Sequence, residues 1–321
     1  MKKRIPELDF IKGIAILLVV IGHITSQVWS SSPEIYENAL IFRFCYSFHM
    51  PLFVFISGYI CRMTMKNNRQ WLLKRLRRIG IPYLLMTAIV AVWLRNGDIS
   101  QFIVSAPYWY LLFVMISDSI LFLGVKLKCG TLIFVPVYVT VLILMRNIPQ
   151  DIGILRQLAD FLPFYAAGSF IPVVINKIRK FDLPALIGSG FYIAVFPFYR
   201  HGIGNQLAYC HKLLGTEDLS RIAGICIVFL NKFAVPVSGI AMVFLLTKIL
   251  YSLKSTKKLR SAVEIAGNHT LAVYLLHDLF FVTPFASPLA NSMISVFTAF
   301  FIPLFISVIY QDLRKKLGDN L

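Results

Sequence analysis

The sequence predicts an all-helical integral membrane protein, with about ten transmembrane helices in one bundle and both termini on the cytoplasmic side. Three observations predict it. Of 321 residues, 58% are apolar and only 15% are charged, against about a quarter charged in an ordinary soluble domain; the mean hydropathy is +0.73. Apolar stretches of roughly twenty residues, the length that crosses about 30 Å of hydrocarbon, recur along the whole chain. Basic residues gather between those stretches in clusters that alternate between rich and poor.

The spans fall at about 10–29, 42–61, 79–95, 107–125, 131–146, 157–175, 183–199, 221–250, 264–282 and 290–310. The first follows Lys2, Lys3 and Arg4 and could pass for a signal peptide. No small-residue cleavage site follows it, and Trp29 and Glu34 come next, so it reads as a span that stays. Pro51, Pro136 and Pro236 lie inside spans, where neighbouring groups can satisfy the freed carbonyls. With the N-terminus cytoplasmic, the inner segments hold 22 Lys and Arg residues, and the outer segments hold seven: Arg43, Arg95, Arg146, Arg156, Arg200, Lys212 and Arg221. This asymmetry orients the bundle. It also argues that 221–250 is one long, tilted or broken span, because splitting it would put Lys254, Lys257, Lys258 and Arg260 outside.

No internal repeat of the transporter kind is visible. No segment is long or polar enough for a separate soluble domain, so residues 1–321 read as a single membrane domain. A net charge of +17 would suggest nucleic acid in a soluble protein; here it is a topology signal, and no nucleic-acid partner is expected. The five cysteines show no zinc or thioredoxin spacing. They read as small buried apolar residues, and no metal is expected.

Ionisable residues inside spans usually mark function. Lys12 and His23 are eleven residues apart, three helical turns, so they share a face and lie roughly 16 Å apart along the axis. Asp9, one turn before Lys12, can pair with it. His23 and His277 both lie roughly 20 Å from the cytoplasmic side, and His49 lies roughly 10 Å from the outer side. In a core of about 30 Å these are similar levels, which does not by itself make one site. Each has a plainer alternative: a histidine bonding a neighbouring carbonyl, or Lys12 snorkelling to the headgroups. Lys232 lies mid-span beside Asn231. The segment from Arg62 to Arg78 has seven basic residues and no acidic one, mostly accounted for by topology and anionic membrane lipids. Arg75 and Arg78, three apart at the mouth of the third span, suit a phosphate ligand.

Together these residues resemble the membrane acyltransferase family called acyltransferase 3, and within it the short fucose-4-O-acetylase-like and exopolysaccharide O-acetyltransferase members. The first span has the family's basic residue, ten-residue gap and histidine at Lys12 and His23. The second carries Phe48-His49-Met-Pro51 and Ser57-Gly58-Tyr59. The paired arginines are Arg75 and Arg78, followed by Pro82. Pro107-Tyr-Trp109 resembles a short tryptophan motif, and the run from Gly267 through Tyr274 to His277 resembles a late glycine-to-histidine motif. Many relatives carry a further C-terminal extracytoplasmic hydrolase-like domain, which is not expected here.

The resemblance implies an acyl group, acetyl by default, moved from cytoplasmic acyl-CoA to a hydroxyl of a glycan or lipid-linked glycan. It implies no bound cofactor, a bacterial cytoplasmic membrane, and polysaccharide-synthesis machinery as a partner. His23 would be the general base. His49 or His277 would hold the acceptor or relay the proton. Lys12, Arg75 and Arg78 would take CoA phosphates, with Asp9, Ser57 and Lys232 in support. Direct transfer and a covalent acyl-histidine both stay open. The alternative from another class is a polysaccharide exporter or flippase, which needs a polar tunnel across the whole membrane and no acyl-CoA.

Overall fold

The computed structural model describes residues 5–28, 39–94, 108–147, 153–174, 182–199, 226, 228–281 and 288–318. Cys210 and the basic residues of 1–4, 175–180 and 200–225 lie outside them. The described chain is helical, with no strand among the described residues. The helices are α1 (Pro6–Val28), α2 (Leu40–Thr64), α3 (Arg69–Leu94), α4 (Trp109–Lys126), α5 (Phe134–Asn147), α6 (Gly153–Val174), α7 (Asp182–Val195), α8 (Val235–Ser252), α9 (Lys257–Asn268), α10 (Thr270–Leu276), α11 (Pro288–Val296) and α12 (Ile302–Gly318).

Among the described residues, five helical stretches are long and apolar enough to cross a membrane: Pro6–Gln27, Leu40–Thr64, Trp109–Lys126, Leu230–Ser252 and Ala290–Leu313. Large apolar side chains such as Leu84, Leu186 and Phe305 stand exposed on helix surfaces. That is the arrangement of a protein whose solvent is hydrocarbon, where each helix satisfies its own backbone hydrogen bonds.

The chain packs as two compact units, residues 1–53 with 181–321, and residues 54–180; the boundary falls inside α2. In the first unit α1 runs along α9 and α8 along α7. The helix α1 starts on Pro6 with Glu7 and Asp9 in its first turn, a favourable charge for a helix N-terminus. It meets α9 backbone to backbone: a Cβ on Gly267 would collide with the Asp9 carbonyl, and one on Gly13 with the Val263 carbonyl. Arg43 of α2 closes the end of the α7 segment, donating to the carbonyls of Phe196 (3.2 Å), Pro197 (2.8 Å) and Tyr199 (2.8 Å). In the second unit α4 packs against α3 and α6, and α5 against α6.

Two expectations change. The ninth span, 264–282, is not one helix. The chain breaks between Asn268 and Thr270, and only Thr270–Phe280 is apolar. At 1.5 Å per residue, those eleven residues reach about 16 Å, half a bilayer core. The break follows Gly267, whose backbone is pressed onto α1, and His269 there bonds Ser307 at 2.8 Å. The basic segment before the third span is largely helix, because α3 begins at Arg69. The three prolines lie inside helical stretches as expected: Pro51 is mid-helix, and Pro136 and Pro236 lie within Gly130–Met145 and Leu230–Ser252, just after a 3₁₀ turn and a π turn. The described part of the eighth span, Leu230–Ser252, is continuous.

Candidate active site

The first polar cluster lies in the first unit. The helix α1 presents His23, and the 3₁₀ turn His277–Phe280 that ends α10 presents His277 and Asp278. His23 Nδ1 lies 2.9 Å from His277 Nε2. Asp278 Oδ1 lies 3.3 Å from the same Nε2 and 3.9 Å from His23 Nδ1. His277 is buried, with 1% of its side chain exposed, whereas His23 and Asp278 are 32% and 31% exposed.

Hydrogen bonding fixes where the protons sit. The His277 Nδ1–H donates to the Tyr274 carbonyl (2.8 Å) and faces that of Val273 (3.2 Å). A neutral imidazole holding its proton on Nδ1 is an acceptor at Nε2. The N–H between the two rings therefore belongs to His23 Nδ1, and the lone pair of His23 is on Nε2, which makes no hydrogen bond among the described residues. A buried histidine, held by backbone, thus orients a second, part-exposed histidine so that its Nε2 lone pair could accept a proton. Asp278 stands where positive charge on His23 would be balanced.

The same three atoms lie within 4.8 Å of one another, close enough to share one cation. The two uses are exclusive, since a metal on His23 Nδ1 would leave its Nε2 protonated.

At the start of α1, Lys12 Nζ pairs with Asp9 Oδ1 at 2.6 Å, as their spacing predicts. His49 is not brought to the His23 cluster. Its Nδ1 donates to the Cys45 carbonyl of its own helix at 2.6 Å, and its ring meets Tyr46 edge-on. Lys232 is buried with Asn231 in a π turn, Leu230–Ala234, at the head of α8.

The second cluster lies in the second unit. Arg75 of α3 grips Asp118 of α4 along one edge of its guanidinium, Nε to Oδ2 at 2.5 Å and Nη2 to Oδ1 at 3.3 Å. The Tyr165 hydroxyl of α6 donates to the same Oδ1 at 2.5 Å. The guanidinium also lies over Trp71, 5.8 Å from its ring centre. Arg78, one turn on, is exposed, so the two arginines do not present equivalent guanidinia. Ser57 of α2 bonds the Tyr110 hydroxyl of α4 at 2.6 Å, and the neighbouring Trp109 stacks on Phe161.

The sequence reading missed Asp118, Tyr165 and Asp278 as members of these clusters. Asp118 had a signal: it is the one acidic residue of α4, and an ionisable group in an apolar helix is costly unless partnered. Asp278 had one in adjacency to His277. Tyr165 had none.

A family model described as an acyltransferase domain matches residues 5–311. Among curated proteins, the nodulation protein NolL of Sinorhizobium fredii is 26% identical over 291 residues, which cover 85% of this chain and 77% of that protein. NolL of Mesorhizobium japonicum is 33% identical over 84 residues, 26% of this chain and 22% of that protein. No solved structure matches the chain.

Proposed function

Because the chain belongs to the acyltransferase 3 family and is an O-acyltransferase, we propose that it moves an acetyl group from cytoplasmic acetyl-CoA to a hydroxyl of an envelope or exported glycan. The whole chain acts as one membrane domain, in the bacterial cytoplasmic membrane. The observation that carries this reading is the orientation of His23 by His277, which leaves one accessible imidazole nitrogen as a base.

In the reaction His23 Nε2 takes the proton of the acceptor hydroxyl as that oxygen attacks the thioester carbonyl. The C–O bond forms, the C–S bond breaks, and the proton passes from the imidazolium to the leaving CoA thiolate. Asp278 balances the imidazolium while it exists. Arg75 and Arg78 take phosphates of the donor, with Lys12 a weaker candidate because Asp9 already pairs with it. Ten spans counted from apolar length, oriented with cytoplasmic termini by the 22-to-7 charge asymmetry, would bring the basic start of α3 to the donor's side.

The test is His23→Ala, assayed by acetyl content of the envelope glycans in cells with and without the protein. The variant is expected to insert normally and transfer nothing; wild-type acetylation by it would sink the assignment. Transfer is expected to survive a chelator. Chelator-sensitive transfer restored by zinc would replace the base with a metal at the same three side chains.

A further inference from the structure

The guanidinium of Arg75 has an inner and an outer edge. An arginine carries five N–H donors in a rigid plane. Here Nε–H and one N–H of Nη2 go to Asp118, and the remaining three meet no acceptor among the described residues. Two of those three, one on Nη1 and one on Nη2, form the outer fork, which matches two oxygens of a phosphate. The inner edge is anchored in protein: the Asp118 side chain is fully buried, and Tyr165, also fully buried, holds the same carboxylate. The Arg75 side chain keeps 21% exposure. Arg78, three residues on and so on the same face of α3, stands exposed and adds positive field at the open edge.

A buried ion pair taken alone is weak evidence for stability, since desolvation offsets much of the attraction. Two buried groups spent on orienting one cation, whose second edge is open, have a plainer use. We infer that Asp118 and Tyr165 are positioning residues that hold Arg75 as the reader of a phosphate group, and that the phosphate is one carried by the acyl-CoA donor. The donor's identity rests on the function proposed above; the positioning does not. A lysine at 75 could meet the carboxylate or the phosphate but lacks the second edge to hold both.

The experiment uses the full chain in nanodiscs and two donors, acetyl-CoA and acetyl-pantetheine, which has the thioester but no phosphate. The readout is the ratio of their kcat/KM values. Asp118→Asn and Arg75→Lys are expected to lower it about tenfold, chiefly through KM for acetyl-CoA, and Tyr165→Phe about threefold. A merely structural role would depress both donors together and leave the ratio within twofold of wild type; that result, with retention of phosphatidylglycerol also unchanged, overturns the inference. Should Asp118→Asn fail to fold, Tyr165→Phe decides by the same ratio.

A second arm measures retention of phosphatidylglycerol against phosphatidylcholine. An unchanged donor ratio with lost phosphatidylglycerol retention moves the phosphate to a lipid and keeps the positioning role; no change in either removes it. A wild-type protein that transfers from neither donor removes the acyl-CoA assignment, and lipid retention then decides alone.

Discussion

Asp278→Asn is the sharpest probe of the proposed base. The substitution keeps the side chain's shape and removes its charge. As the proposed base, His23 gains its extra proton only during the reaction, so little binding energy should be lost. In the transition state His23 gains a proton, and the lost partner is the carboxylate 3.9 Å from its Nδ1. Unit charges at that distance attract by about 4 kcal/mol at an effective dielectric near 20, and by about 1 kcal/mol in water. Both side chains are about a third exposed, so screening puts the effect between these limits, at about 1–3 kcal/mol. This converts to roughly a 5- to 150-fold fall in kcat, with KM for acetyl-CoA within about twofold, as expected when an interaction made only in the transition state is removed. The new amide can also donate to His277 Nε2, 3.3 Å away, and compete with the His23 N–H, which acts in the same direction. CoA release by the purified protein, with the envelope glycan fraction as acceptor, measures both constants. A kcat within twofold of wild type would refute the counter-ion argument, as would a loss confined to KM.

Two further outcomes follow from the fold and the topology. Gly267→Ala puts a Cβ into the Asp9 carbonyl where α9 meets α1; such overpacking costs about 1–3 kcal/mol or more. Gly190→Ala, which meets nothing within 4 Å, is the control, and equal melting temperatures for the two variants in detergent would contradict the close crossing. A fluorescent protein fused after residue 321 is expected to glow and alkaline phosphatase at the same place to stay inactive; the reverse pattern would invert the charge-based orientation.

What could be read from the sequence is what depends on local rules. Apolar length found the helices, because crossing hydrocarbon is a one-dimensional constraint. The spacing of Asp9 and Lys12 found their ion pair, since three residues bring side chains onto one face of a helix. Counting residues put His23 and His277 at one level, and the structure joins them at 2.9 Å. The route to that level was nevertheless wrong for His277, which was measured along a straight helix from residue 264. The chain turns at His269 instead, because Gly267 fits against the backbone of α1 and α9 lies along that helix. Hydropathy averages over such a break, since the segments on both sides keep apolar faces. His49 met the same depth rule, yet its Nδ1 bonds the Cys45 carbonyl of its own helix, so depth alone did not say which histidines meet one another.

The cluster around Arg75 shows where such rules stop. Arg75 and Asp118 are 43 residues apart, and Asp118 and Tyr165 are 47 apart; nothing in the spacing of either pair encodes contact between different helices. One carboxylate barely lowers the mean hydropathy of α4, so the helix stays apolar by any window. The energetics still narrows the choice. A carboxylate fully buried in an apolar helix needs a cation, because an unpaired charge there costs several kcal/mol. Arg75, on the adjoining helix α3, pairs with it. The arginine that looked from the sequence like a freely presented phosphate ligand is therefore oriented from behind. A fixed guanidinium discriminates by geometry where a mobile one attracts only by charge. On this argument Arg78, exposed and untethered to that carboxylate, contributes mainly field. Replacing it should weaken acetyl-CoA binding in a salt-dependent way, whereas loss of Arg75 or Asp118 should persist at high salt.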